Sequence, residues 1–454
     1  MMGDRRETME ENQRFRKDLK KIAIPVTLQC LLQSSFGVMD QMMTGQLGSL
    51  SVAGIGMGNK FMSLYTVLIG AIATTAGILI AQYAGKENWK EVGRSFYTSF
   101  LFACGLALFF TGISLFCPIQ VMHLYSTEAK TIQIAGEYLK IFGLTCPFAA
   151  FSTLFAAYLR CVGGASLPLY TSFFAAILNT GFNYALIFGK FGCPALGVKG
   201  AALASLLAQF IGSLLLLILY LAEKKKKNWK LPCSFLSGKK SWFSYGAVFM
   251  PIFFCEFFWA LGENVYAVIY GHIGTKAYAA MTLTNPVQGL LIGAMTGISQ
   301  AAGIMVGKSL GAGKFEKAYQ ESKKLMVWGV FGSIVLSLCL LFLAPYYVLI
   351  FQVEESVKET TKILLSIFAL YLPVKVSNMV LGGGIVRSGG KTKYIMIVDL
   401  IGTWLFGVPL GLMAAFWWKL PVPMVYLILS LEEGVRLAIT GVIFRKRIWM
   451  QEIT

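Results

Sequence analysis

The sequence predicts an all-α polytopic membrane protein: twelve transmembrane helices in two six-helix bundles related as a parallel repeat. Three observations predict it. Of 454 residues, 56% are hydrophobic and only 14% charged, with mean hydropathy +0.66; a soluble domain carries about 25% charged residues. Apolar runs of about 20 residues, long enough to cross a bilayer, recur between short polar interruptions. The chain also matches itself at a nearly constant offset.

Taken in order, residues 1–21 form a polar, charged tail with no apolar leader. Spans are expected at 22–45, 51–83, 93–117, 130–159, 166–188 and 196–222, which make an N-lobe over 22–222. A basic linker covers 223–240. The C-lobe, 241–444, has spans at 241–273, 276–310, 317–343, 355–386, 391–415 and 421–444, followed by a tail at 445–454. Several spans exceed the bilayer thickness, so tilt is expected. Basic residues cluster in the first tail, in the linker, after the even-numbered spans and at the C-terminus. By the positive-inside rule both termini and the linker are cytoplasmic, which requires an even number of spans. Topology therefore accounts for the net charge of +18, and no nucleic-acid partner is expected. The run Lys224–Lys227 suits anionic lipid headgroups.

The nine Cys form no CxxC pair and lie mostly in apolar segments, as small buried hydrophobes do. With two His and no phosphate-binding, kinase or zinc signature, neither an enzyme nor a catalytic residue is expected.

At an offset of 226, Pro25 falls on Pro251, Gly45 on Gly271, Gly48 on Gly274 and Asn59 on Asn285. Ala76, Gly77 and Ile78 fall on Ala302, Gly303 and Ile304, and Gly85 on Gly311; at 227, Arg160 and Gly163 fall on Arg387 and Gly390. Six spans per copy give both copies the same orientation, a parallel repeat about an axis along the membrane normal. Two such bundles enclose a central cleft and move by rocking.

Acids inside spans are Asp40, Glu137, Glu256, Glu263, Asp399, Glu432 and Glu433. A charge at mid-bilayer costs about 2.5–3.5 kcal/mol on insertion scales, so each is a candidate for reversible protonation. Asp40 follows Pro25 on the first span, where the missing backbone bond weakens the helix, and the pair suits a bending switch. Glu256 and Glu263 are seven apart, on one helix face. Their repeat positions are Cys30 and Gly37, so the scaffold does not require them. Lys375 is a candidate partner for either, and Arg436 for Glu432. Arg160 and Arg387 suit caps at cytoplasmic helix ends. Phe36, Phe61, Tyr65, Trp259 and Asn378 are candidates to line the cleft, the aromatics through cation–π contacts.

The loop Ala84-Gly85-Lys86-Glu87-Asn88-Trp89-Lys90 lacks the motif of the major facilitator superfamily. The first span instead reads Pro25 … Met39-Asp40-Gln41 … Gly45-Gln46-Leu47-Gly48, and Arg160-Cys161-Val162-Gly163-Gly164 … Pro168 has its second copy in Arg387-Ser388-Gly389-Gly390-Lys391. In order and spacing these elements resemble the MATE family (multidrug and toxic compound extrusion), with features of both its DinF-like and NorM-like branches. The resemblance implies a V-shaped cleft and a cation-coupled antiporter that exports amphipathic, often cationic, organic compounds. It implies ion coupling at Asp40 with Asn179. Asn183 stands where a second acid is expected and Ala201 near an expected hydroxyl. Glu256 fits the functional Glu of the seventh span, while the usual tenth-span Asp is missing. The thin oxygen set favours H⁺ over Na⁺, the alternative being Na⁺ at Asp40 or Glu256. A flippase of lipid-linked oligosaccharide, or of another lipid-like substrate, from the same wider superfamily is the alternative function. No cofactor is expected, and the protein is expected to be a monomer in the bacterial plasma (inner) membrane.

Overall fold

The structure is a computed structural model that describes residues 2–126, 128–235, 239–349, 351 and 353–451. Its long helices are α1 Met2–Gly45, α2 Ser49–Gly85, α3 Trp89–Phe116, α4 Ala129–Cys161, α5 Ser166–Phe188 and α6 Val198–Lys224. The second copy comprises α7 Lys239–Ile273, α8 Thr275–Gly311, α9 Phe315–Leu349, α10 Glu355–Val386, α11 Thr392–Trp417 and α12 Val422–Arg445. Among the described residues, eleven helices are long and apolar enough to cross a membrane by length and composition. The twelfth, α12, is equally long but carries Glu432, Glu433 and Arg436 near its middle. The polar stretch before residue 22 is not a separate tail but continues α1. Its Glu, Arg, Lys and Gln side chains are good helix formers.

Pro25 and Pro251 lie inside α1 and α7. α4 contains a 3₁₀ turn at Gly143–Thr145. π-helical turns occupy Met379–Val386 at the end of α10, and Ile401–Gly407 and Met413–Trp417 within α11.

Two compact units result. One comprises Leu28–Ile80 and Asn88–Trp242; the other comprises Phe243–Thr454 together with Met1–Thr27 and Ala81–Glu87. Close backbone contacts explain why the ends of α1 and α2 group with the second unit. Thr27 Oγ1 donates to Ala294 O at 2.8 Å. A Cβ on Gly85 would lie 2.2 Å from Lys308 O, and one on Gly311 would lie 1.9 Å from Gln82 O. Gln82 and Lys308 are repeat mates, as are Gly85 and Gly311. The crossing is therefore reciprocal, and only Gly permits so close an approach. The Gln82 amide also donates to Ser388 O at 2.6 Å.

Each unit closes with a Trp that the sequence reading passed over. Part of the expected linker packs back on the first unit: Trp229 Nε1 donates to Val162 O at 3.1 Å, and its ring stacks on Tyr220. Trp449 in the C-terminal segment is fully buried and stacks on Phe444.

Candidate functional site

In the first unit, Asp40 comes from α1 and Asn179 and Asn183 from α5, where their spacing of four sets them on one helix face. Asn183 Nδ2 donates to Asp40 Oδ1 in a short bond and to Asn179 Oδ1 at 3.2 Å. Asn179 Nδ2 donates to Ser205 Oγ on α6 at 3.3 Å. Asn183 is 1% exposed, and its Oδ1 has no hydrogen-bond partner among the described residues. An apolar cluster of Ile55, Tyr138, Ile187, Ala201 and Ala202 also packs against Met43 and Leu47 of the α1 segment. Tyr138, whose hydroxyl donates to Asn59 Oδ1 at 3.0 Å, lies within electrostatic reach of Asp40. The three predicted residues thus meet. Ala201 belongs to the apolar cluster, and the hydroxyl of this site is Ser205, a residue the sequence reading missed.

The same unit holds a second polar centre. Arg160 at the end of α4 donates to Gln29 Oε1 of α1 at 3.0 Å, and Gln29 Nε2 donates to Ser172 Oγ of α5 at 3.0 Å. Arg160 is therefore more than the helix cap expected of it: it ties three helices together.

The other unit holds a chain of charges. Glu256 on α7 pairs with Arg387 at 2.9 Å, and Arg387 approaches Asp399 of α11 at 3.9 Å. Asp399 faces Arg436 of α12 at 3.5 Å, and Arg436 faces Glu432 at 3.3 Å. Cys255 Sγ donates to Asp399 Oδ2 at 2.7 Å and accepts from Arg387 Nη2 at 3.0 Å. Tyr266 of α7 donates a short hydrogen bond to Glu432 Oε2, and Arg436 one to Thr403 Oγ1. On the far side of α12, Glu433 pairs with Lys375 of α10 at 3.7 Å and accepts from Asn378 Nδ2 at 2.8 Å.

Several expectations are corrected here. Lys375 joins Glu433 rather than Glu256 or Glu263, because Arg387 already fills the Glu256 site. Glu263 is exposed and outside the chain of ion pairs among the described residues. Asn378 is committed to α12. Tyr65 does not line a cleft: it is 3% exposed, its ring packs on Phe110, and its hydroxyl donates to Cys146 O at 2.6 Å. Phe61 also packs on Phe110, Phe36 is half-buried, and Trp259 is exposed. The expected Glu432–Arg436 pair forms, whereas Asp399 was visible as a span acid but nothing in the one-dimensional pattern gave its partners.

The MatE family model matches residues 25–185 and 251–413, so that its two copies begin on the repeat-related prolines. The chain is 22% identical over 428 residues to the uncharacterized transporter YisQ of Bacillus subtilis, covering 94% of each chain. It is 25% identical over 412 residues to the probable multidrug resistance protein NorM of Thermotoga maritima, covering 90% of this chain and 88% of that one. A crystal structure of MATE in complex with MaL6 matches with TM-score 0.87 and 17% identity, over 96% of each chain. A family match over most of the length, on both halves of the repeat, shows that the chain belongs to the MatE family of membrane transporters.

Proposed function

We propose that the protein is a proton-coupled antiporter that exports amphipathic, often cationic, organic compounds by alternating access of its two halves. In this reading it is a monomer of the bacterial plasma membrane with both termini in the cytoplasm. The relatives named as multidrug resistance proteins support the substrate class. The observation that carries the coupling is the Asp40 centre: one carboxylate bonded by the Asn183 amide, which Asn179 braces, beside an Asn183 oxygen that lacks a donor among the described residues. Burial penalises the charged form of such an acid, and a proton on Asp40 supplies the missing donor for Asn183 Oδ1 once the amide turns over. Na⁺ would have the Asp40 carboxylate, Asn183 Oδ1 and the already bonded Asn179 Oδ1. That set holds a single negative charge, and the oxygen-rich sites of hard cations carry more.

The test is uptake of a cationic dye into inside-out vesicles under separately imposed proton and Na⁺ gradients. The proton gradient is expected to drive accumulation. Asp40→Asn, which keeps the shape and loses the titration, is expected to abolish that accumulation while the protein still inserts. Accumulation driven by Na⁺ alone, or an Asn variant with wild-type rate and pH dependence, would remove this reading.

A further inference from the structure

The repeat places Tyr266 where the first unit has Asp40, at the offset of 226. The C-terminal unit thus lacks an acid at the first-unit position, yet the tyrosine hydroxyl is bonded to one, Glu432, supplied by α12. From this geometry we infer that Glu432 is a proton-binding site of the C-terminal unit, a counterpart of Asp40 with the carboxylate moved to another helix.

Charge counting supports it. The linked chain contains three carboxylates, Glu256, Asp399 and Glu432, and two cations, Arg387 and Arg436. Glu433 has its own partner in Lys375. With every acid ionised the chain carries one negative charge too many, and one added proton makes it neutral. Both arginines are shared, Glu256 and Glu432 stand at the two ends of the line, and Glu432 has one oxygen on Arg436 and the other on neutral Tyr266. Its side chain is 9% exposed, against 26% for Glu256 and 21% for Asp399. An uncompensated charge is costliest where water is least available, so the proton goes to Glu432. On protonation Arg436 is left to serve Asp399.

The backbone is shaped around this pair. The π-helical turn Ile401–Gly407 is bounded by two glycines that make room for it. A Cβ at Gly407 would lie 2.2 Å from both Glu432 Oε2 and Tyr266 Oη, and one at Gly402 would lie 2.6 Å from Arg436 Nε. Single π turns inside α-helices occur frequently at functional sites. The titratable and charged groups that face Glu432 are Tyr266 and Tyr270 from α7, Tyr371 and Lys375 from α10, Glu433 and Arg436 from α12, and, through Arg436, Asp399 from α11.

The inference rests on the proton-coupled reading only for what the proton is used for, so the test reads the proton itself. Unbuffered, detergent-purified full-length protein is titrated with an indicator dye, and wild type is compared with Glu432→Gln and Tyr266→Phe. Wild type is expected to take up about one proton per chain more than Glu432→Gln, at a pH where exposed carboxylates are still ionised. Tyr266→Phe removes a donor that favours the ionised acid, and should move that uptake to higher pH. Superimposable curves for wild type and Glu432→Gln would overturn the proposal. If the Gln variant does not fold, an unshifted Tyr266→Phe curve overturns it alone. A missing proton together with dye transport indifferent to the proton gradient would uphold the site and reject the antiport reading.

Discussion

Arg160 and Arg387 stand at repeat-related positions, and both reach back to the helix that opens their copy. Arg160 meets Gln29, which meets Ser172; Arg387 meets Cys255, which meets Asp399. All three positions correspond, at offsets of 226 and 227. The scaffold thus builds the same three-helix junction twice. In the first copy the bonds shown run through neutral partners. In the second, Glu256 replaces Cys30 and Asp399 replaces Ser172, and the arginine sits between carboxylates. The repeat preserves where the arginine goes, while the partners decide whether the junction is polar or ionic. The acids differ in setting as well: Asp40 lies beside amides in one unit, while the other unit holds a shared-charge chain.

The difference is most strongly tested at Arg387. Removing one partner of a buried ion pair leaves the other uncompensated, at about 3–5 kcal/mol. Arg387→Ala is expected to lower thermal stability in detergent steeply, because Glu256 loses its cation and Asp399 loses one of the two it faces. Adding Glu256→Gln should recover part of the loss, and a double variant no more stable than the single one would show that the pair is not coupled. Arg160→Ala should cost less, about 1.5–3 kcal/mol for a hydrogen bond made by a charged group. If the two alanine variants melt together, the contrast between neutral and ionic junctions is wrong.

A milder change sharpens the same contrast. Ser172→Asp gives the first junction the acid that the second has at residue 399. The new carboxylate lies beside a Gln29 that already bonds Arg160, so the variant should melt at or above the wild-type temperature. Asp399→Ser, the reverse exchange, should melt below it, since Arg387 and Arg436 then share one acid fewer. A destabilised Ser172→Asp would mean that Arg160 is already satisfied and that the position cannot hold a charge.

The repeat was legible because Pro, Asn, Arg and Gly are held in register by backbone demands. Gly163 and Gly390 both adopt positive φ at the ends of their helices, +87° and +76°, which side chains resist. Asp40 was legible as an acid inside an apolar span, and Asn179 and Asn183 through the family resemblance. The partners across helices were not. Lys375 reaches Glu433 and Arg387 reaches Glu256 through the rotation of each helix about its own axis. An all-round apolar span leaves that rotation unspecified in the sequence. Ser205 and Tyr138 were hidden for the same reason, whereas the Glu432–Arg436 pair, four apart on α12, was legible from helical spacing.

The smallest expected effect lies where the two copies seat their closing tryptophans. In the first unit a Cβ on Gly164 would meet the Trp229 ring at 2.7 Å; in the second, one on Gly389 would meet the Trp449 carbonyl oxygen at 1.8 Å. A ring can tilt within its slot, whereas a carbonyl moves only with the segment that carries it. Overpacking of this kind costs about 1–3 kcal/mol, and the backbone contact should sit at the upper end. Gly389→Ala is therefore expected to lower the melting temperature more than Gly164→Ala, with increased exposure of Trp449 to a soluble fluorescence quencher. Trp229 in Gly164→Ala should stay shielded, because its Nε1 bond to Val162 holds the indole while the ring edge shifts. The reverse order of melting would show that the ring of Trp229 is the more rigid wall, and that the two closures differ in kind rather than in tightness.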